Sequence, residues 1–172
     1  AGLLPLLAGA AGETSGRRDE VLAGLRQAAG WTVRRLHGEP RPSPGLYFGQ
    51  AGISWALFEA ARALDDGELR AKALGMAHEL PTEWPQPDIC HGLAGAGLAQ
   101  LHFWQATGDD VFAERACAAA DTLVKVAITS DDGILWEIPG DFDSALAGVR
   151  HWGFGHGVAG IGAFLLASAR AT

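Results

Sequence analysis

The residues best suited to chemistry in this 172-residue chain sit at one recurring place. Phe48, His91 and His156 each stand directly before a Gly-x-Ala-Gly word: Gly49-Gln50-Ala51-Gly52, Gly92-Leu93-Ala94-Gly95 and Gly157-Val158-Ala159-Gly160. An imidazole exchanges protons near neutral pH and serves as a general acid or base. Asp88 lies four residues before Gly92, in the segment Pro87-Asp88-Ile89-Cys90-His91, and Pro85 and Pro87 stiffen the approach to it. An apolar helix follows each word. Its first turn, with free N–H groups and a partial positive charge, is expected to favour an anion such as a thiolate or enolate. Plainer readings stand beside these. Asp88 is equally read as an N-cap, and His156 as a residue satisfying backbone groups. His151 and Trp152 read as packing residues, Cys117 as a small buried hydrophobe, and Tyr47, Phe48, Trp55 and Trp104 as core or pore-lining aromatics.

The elements that must position these residues repeat with the words. Gly49 and Gly92 are 43 residues apart and Gly92 and Gly157 are 65 apart, so the second unit carries an insertion of 22 residues, around Asp131 to Arg150. Ile53 to Leu64 is apolar nearly all round and reads as an inner helix. Asp65-Asp66-Gly67 is a turn, and Glu68 to Leu80 has the spacing of an amphipathic outer helix. The next unit repeats the plan, with Ala96 to Ala106, the turn and cap Thr107-Gly108-Asp109-Asp110, and Val111 to Ala127. Ile161 to Ala169 supplies a third inner helix. Upstream, Arg18 to His37 reads as an amphipathic helix, and Gly9-Ala10-Ala11-Gly12 as a remnant of an earlier word. The best strand pattern, Ile134 to Ile138, falls in the insertion. Helical hairpins of this period build an open solenoid or a closed ring. Small residues at every inner-helix start favour the ring, because helix ends crowd at its centre.

Composition excludes several functions. Apolar residues make up 48% of the chain and charged residues 19%, enough for a packed core. A formal charge of −7 argues against a surface that tracks phosphates, so no nucleic-acid partner is expected. No apolar run is long enough for a membrane span, so no membrane partner is expected either. Two cysteines make no disulfide framework, and the chain reads as cytoplasmic. Cys90 and His91 are adjacent candidate zinc ligands without a clear third, so no metal ligand set is assigned. The start of the chain, apolar but broken by Pro5 and without an opening Met, and a helix still running near Thr172 lead to the expectation of a fragment.

The segments Leu46 to Ile53, Asp88 to Gly95 and Gly153 to Ile161, taken as an ordered set, resemble repeats of the lanthionine synthetase C-like family. The resemblance implies an all-α, α/α-toroid fold, here a partial ring over residues 1–172 with units starting near Gly49, Gly92 and Gly157. It implies a cyclase that adds a cysteine thiol of a precursor peptide to dehydroalanine or dehydrobutyrine. Asp88 matches the family's Asp position and His156 its His, which makes them the expected catalytic residues. His91, Tyr47 and Phe48, at or beside the same repeat position, are the expected substrate contacts. In the family's best-known members a Cys and a later Cys-His pair bind zinc. Cys90-His91-Gly92 copies those letters, but Tyr47 stands where the partner Cys belongs, and the His unit follows rather than precedes. Zinc is therefore expected only from ligands beyond Thr172. Kinase-linked class III and IV synthetases are the nearest resemblance, implying kinase and lyase domains upstream and a fragment that does not cyclise unaided. A non-catalytic toroid that binds peptide or thiol stays open. So does a glycan-processing toroid enzyme, with Asp88 and Asp141 or Asp143 as its carboxylates.

Overall fold

A computed structural model describes residues 3–13, 16–36, 42–131, 133–143 and 145–171. Among them the chain forms α1 (Leu3–Glu13), α2 (Arg18–Leu36), α3 (Gln50–Leu64), α4 (Gly67–His78), α5 (Leu93–Thr107), α6 (Asp110–Lys125), β1 (Ile128–Ser130), β2 (Gly133–Leu135) and α7 (Val158–Ala171). The hairpins α1/α2, α3/α4 and α5/α6 stand side by side. Helices α1, α3, α5 and α7 touch in sequence as an inner layer, while α2 also packs on α3, α4 on α5 and α6 on α7. This is the two-layered α/α-toroid architecture. His37, Pro40 and Arg41 lie outside the described residues. Gly9 and Gly12 fall in the second half of α1 rather than before a helix start, so that word is not an elbow.

Local chemistry fixes the turns between layers. Asp65 ends α3 in the left-handed region, which Asp tolerates, and Asp66 then caps α4 by accepting the Leu69 N–H at 2.9 Å. The next hairpin turns at Gly108, φ 72°, and Asp109 accepts the Val111 N–H at 3.1 Å. The buried core then continues across the units. Leu25, Leu57, Phe58, Phe103 and Phe112 form one cluster, and Leu93, Leu123, Trp136, Ile161 and Phe164 another. Gly97 on α5 has no side chain because the Phe164 ring of α7 occupies that space. In the insertion, β1 and β2 form an antiparallel hairpin, and the Trp136 indole donates to the Leu123 carbonyl at 2.8 Å. The extended segment read at Ile134 to Ile138 is therefore real, although β2 itself ends at Leu135.

The three glycine words work differently from the reading above. At the start of α3, α5 and α7 the first two amides donate to carbonyls seven residues earlier. These are Gln50 to Ser43 (2.8 Å) and Ala51 to Pro44 (3.3 Å), Leu93 to Gln86 (2.9 Å) and Ala94 to Pro87 (3.1 Å), Val158 to His151 (3.0 Å) and Ala159 to Trp152 (3.2 Å). The elbow thus caps its own helix with backbone. The amides expected to be free for an anion are occupied, and that part of the sequence reading is wrong. The glycines do allow close approach between neighbouring elbows, but first of all they leave room within their own. A methyl group on Gly52, Gly95 or Gly160 would overlap the carbonyl oxygen of Leu46, Ile89 or Phe154, and one on Gly49, Gly92 or Gly157 that of Ser43, Gln86 or His151. The tightest clash is in each case with the residue six positions back; a methyl group on Gly95 would also meet the Leu46 amide nitrogen at 2.6 Å, and one on Gly160 the Ile89 side chain at 2.7 Å. These glycines let a chain pass over its own helix start.

The elbows are also stitched together. Leu46 donates to the Ile89 carbonyl (2.9 Å), and Tyr47 and Phe48 both donate to that of Cys90 (3.3 and 3.0 Å). Ile89 and Cys90 in turn donate to the Gly155 carbonyl (3.2 and 3.1 Å). Substitution separates these glycines from ordinary ones. Gly95→Ala should lower stability by several kcal/mol or prevent folding, since neither clashing atom is a flexible side chain. Gly75→Ala, where a methyl group meets nothing within 4 Å, should raise stability by about 0.4–1 kcal/mol. Urea denaturation followed by circular dichroism measures both.

Candidate functional site

Asp88 anchors the site. It is fully buried in the middle elbow, and each oxygen accepts from a neighbour of known geometry. Oδ1 accepts the His91 backbone N–H at 2.7 Å, and Oδ2 accepts the Gln86 side-chain amide at 2.9 Å. Gly92, not Asp88, occupies the N-cap position of α5, so the N-cap alternative is set aside. Holding the elbow closed through His91 is the structural duty Asp88 has in its place. Both carboxylate oxygens of Asp88 therefore serve as hydrogen-bond acceptors.

The third elbow brings His156 to that carboxylate. His156 Nδ1 lies 2.6 Å from Asp88 Oδ2, across 68 positions of sequence. An imidazole Nδ1–H at this distance donates to an accepting carboxylate oxygen, and in that tautomer of the neutral ring Nε2 carries the lone pair. His156 remains about a third exposed, so its ring is reachable from outside. Position and burial together set a buried carboxylate against an imidazole that is reachable from outside.

His91 completes a column of rings. Phe48 stacks on His91 with centroids 5.0 Å apart, and His91 on His156 at 5.5 Å, with interplanar angles of 17° and 20°. The three residues that precede the glycine words therefore do meet. His91 Nδ1 points toward Asp88 Oδ2 but at 3.8 Å, too long for a hydrogen bond, and it is buried without another partner. Tyr47 and Phe48 are 62% and 65% exposed, so neither is a core residue. Trp55 is half-buried and stacks on His102 at 3.9 Å, and half-buried Trp104 donates to Asp110. His151 lies with its ring tilted against His156, 5.9 Å between centroids. Asp141 and Asp143 are exposed in the insertion, unlike Asp88.

Some of the site was not foreseen. Gln86 aims its amide at the carboxylate, and no spacing marks it out from other polar residues near prolines. The ligand count in the sequence stopped at Cys90 and His91, because Asp88 and His156 join His91 only through folding. Asp88, His91 and His156 present potential ligand atoms that all lie within 4.8 Å of one another.

Cys90 takes a separate path from its neighbour. Its sulfur is buried and packs against Gly155, where an added methyl group would come within 3.2 Å. Burial raises the thiol pKa above its ordinary value, and the Asp88 charge raises it further. Cys117, on outer helix α6, is only half-buried. The cysteine and Cys-His set implied by the resemblance is not brought together among the described residues.

Compared with known proteins, the chain matches the family described as Lanthionine synthetase C-like protein over residues 1–172, and it belongs to that family. No curated protein sequence matches it. No helix among the described residues is long and apolar enough to cross a membrane.

The thiol environment is directly measurable. Under iodoacetamide at pH 8, Cys117 should be alkylated well before Cys90, as peptide mass spectrometry would read. Removing the charge with Asp88→Asn should lower the Cys90 pKa and shift its alkylation profile to lower pH.

Proposed function

Starting from membership of the lanthionine synthetase C-like family, we propose that this chain is the cyclase part of a lanthipeptide synthetase. It would add a precursor-peptide cysteine thiol to dehydroalanine or dehydrobutyrine. The observation that carries this reading is the 2.6 Å contact between buried Asp88 and accessible His156. Addition to a dehydro residue needs one group that first takes a proton and then returns one, and an oriented imidazole does both.

The steps follow from the tautomer. His156 Nε2 accepts the thiol proton, and the sulfur lone pair forms the C–S bond at the β-carbon. The π electrons of the double bond move onto the α-carbon and its carbonyl as an enolate. The imidazolium N–H at Nε2 then protonates the α-carbon, which closes the thioether ring and regenerates neutral His156. Asp88 does not take the proton. It keeps Nδ1 protonated and stabilises the transient imidazolium. His91, Tyr47 and Phe48 are the proposed peptide contacts. The exposed rings of Tyr47 and Phe48 are available to apolar side chains beside the reacting residues.

The resemblance also implies zinc, which when bound activates a thiol by favouring its thiolate. The donor set for it does not fit here, since Cys90 is turned away into the elbow and Cys117 sits on an outer helix. No step is assigned to that metal. The finer proposal of a kinase-linked class III or IV enzyme, with kinase and lyase domains upstream and working in the cytoplasm on a soluble precursor peptide, is supported by the resemblance of the three glycine words.

Replacement of His156 by Asn in the full-length enzyme should slow ring formation by about 10²–10⁴-fold. Asp88→Asn should slow it as well while dehydration of the precursor continues. Free-thiol alkylation and mass spectrometry of the dehydrated peptide count the rings. Normal cyclisation in both variants refutes the acid–base assignment.

A further inference from the structure

The orphaned nitrogen of His91 has no role in the acid–base reading. It is buried, unpartnered and 3.8 Å from the same Asp88 oxygen that His156 contacts. Leaving such an atom unsatisfied costs on the order of 1–3 kcal/mol. We propose that Asp88 Oδ2, His91 Nδ1 and His156 Nδ1 form a binding site for one divalent transition ion of the zinc class. The site differs in residues and in donor chemistry from a thiolate-based one.

Two imidazoles and a carboxylate are a donor set that zinc accepts, and three protein ligands with one open position describe its reactive sites. In a tetrahedral site with bonds of about 2.0–2.1 Å, ligand atoms stand roughly 3.3 Å apart. Here they are 2.6 Å apart for Asp88 and His156, 3.8 Å for Asp88 and His91, and all within 4.8 Å. Shifts of less than about 1 Å in two partly exposed rings bring the three atoms to that spacing. The carboxylate is already held by Gln86 and by the His91 amide, which supplies the outer hydrogen bonding that fixes metal ligands. The exposed side of His91 and His156 leaves the fourth position open to water or to a thiolate.

The ion takes the place of a proton. Binding at His156 Nδ1 moves that proton to Nε2, so the ring stays neutral but loses the lone pair the acid–base route needs. Metal-bound and proton-transferring forms of the site are therefore alternatives. The inference rests on side-chain geometry and does not require the cyclase reading.

The test is calorimetric titration of the chain, cleared of metal by a chelator, with Zn²⁺ at pH 7.5. One equivalent should bind. His91→Phe keeps the ring stack but removes the donor, and should weaken binding by about tenfold or more. His91→Ala should do the same, and a folded circular-dichroism spectrum identifies which variant is informative. Cys90→Ser should bind as wild type. Co²⁺ in place of Zn²⁺ should give visible bands without sulfur-to-cobalt charge transfer. No saturable binding, unchanged affinity in the folded His91 variant, or a sulfur band would each overturn the site. A negative titration leaves the acid–base reading standing, and normal cyclisation by Asp88→Asn and His156→Asn enzymes would remove that reading while leaving a positive titration in force.

Discussion

The molecule depends on backbone capping backbone. At each elbow two helix-starting amides are satisfied by carbonyls seven residues back, and two glycines face carbonyls six residues back. A buried helix start without such partners would leave several amides unpaired, each costing about as much as a lost buried hydrogen bond. A side-chain cap from Ser or Asp would satisfy one amide. The backbone cap satisfies two and frees the side chains of the elbow for other work. That freedom is why Asp88, directly upstream of a helix, faces His156 rather than α5.

The stitching between elbows adds the second dimension. One carbonyl, that of Gly155, receives both Ile89 and Cys90, so the segment carrying Asp88 is tied to the segment carrying His156 within two residues of each functional group. The Asp88–His156 distance is therefore set by main-chain bonds and does not rely on two long side chains finding each other. Preorganisation of this kind is what an acid–base pair requires, because it removes the cost of orienting the imidazole at the moment of reaction. The same rigidity supplies the Gln86 contact from the segment that caps α5.

Most of the helical frame was legible in the residues. Asp109 acts as the cap that the Thr107 to Asp110 turn suggests, and the alternation of inner and outer helices holds through α3 to α6, although α4 buries fully only Ala73 and Ala77. The alignment of Phe48, His91 and His156 before the glycine words also brought the right rings together. Two things were not legible. The glycines were assigned to crowding between units alone, and the carbonyl six residues back was missed, because sequence shows that a side chain is missing but not every atom that fills its place. The helix starts were taken as open anion sites, because an amide's acceptor seven residues earlier is a carbonyl and every residue has one. Gln86 stayed hidden for a related reason: its partner is fixed by the closure of the elbow, not by spacing.

Cys90 and His91 make the point about letters and geometry most sharply. Side by side they spell a metal-binding pair, yet the sulfur is packed against Gly155 while the imidazole lies between Phe48 and His156. The bend that holds Asp88 against the His91 N–H turns the two neighbouring side chains to different surroundings, so adjacency does not bring shared ligation here. The residues that do converge on His91 come from three positions back and from the following elbow. Thiolate formation at Cys90 is opposed by burial and again by the Asp88 charge. A carboxylate that discourages a thiolate on one side holds an imidazole on the other, and the proposed division of labour, with proton transfer at His156 and none at Cys90, follows from that one buried group.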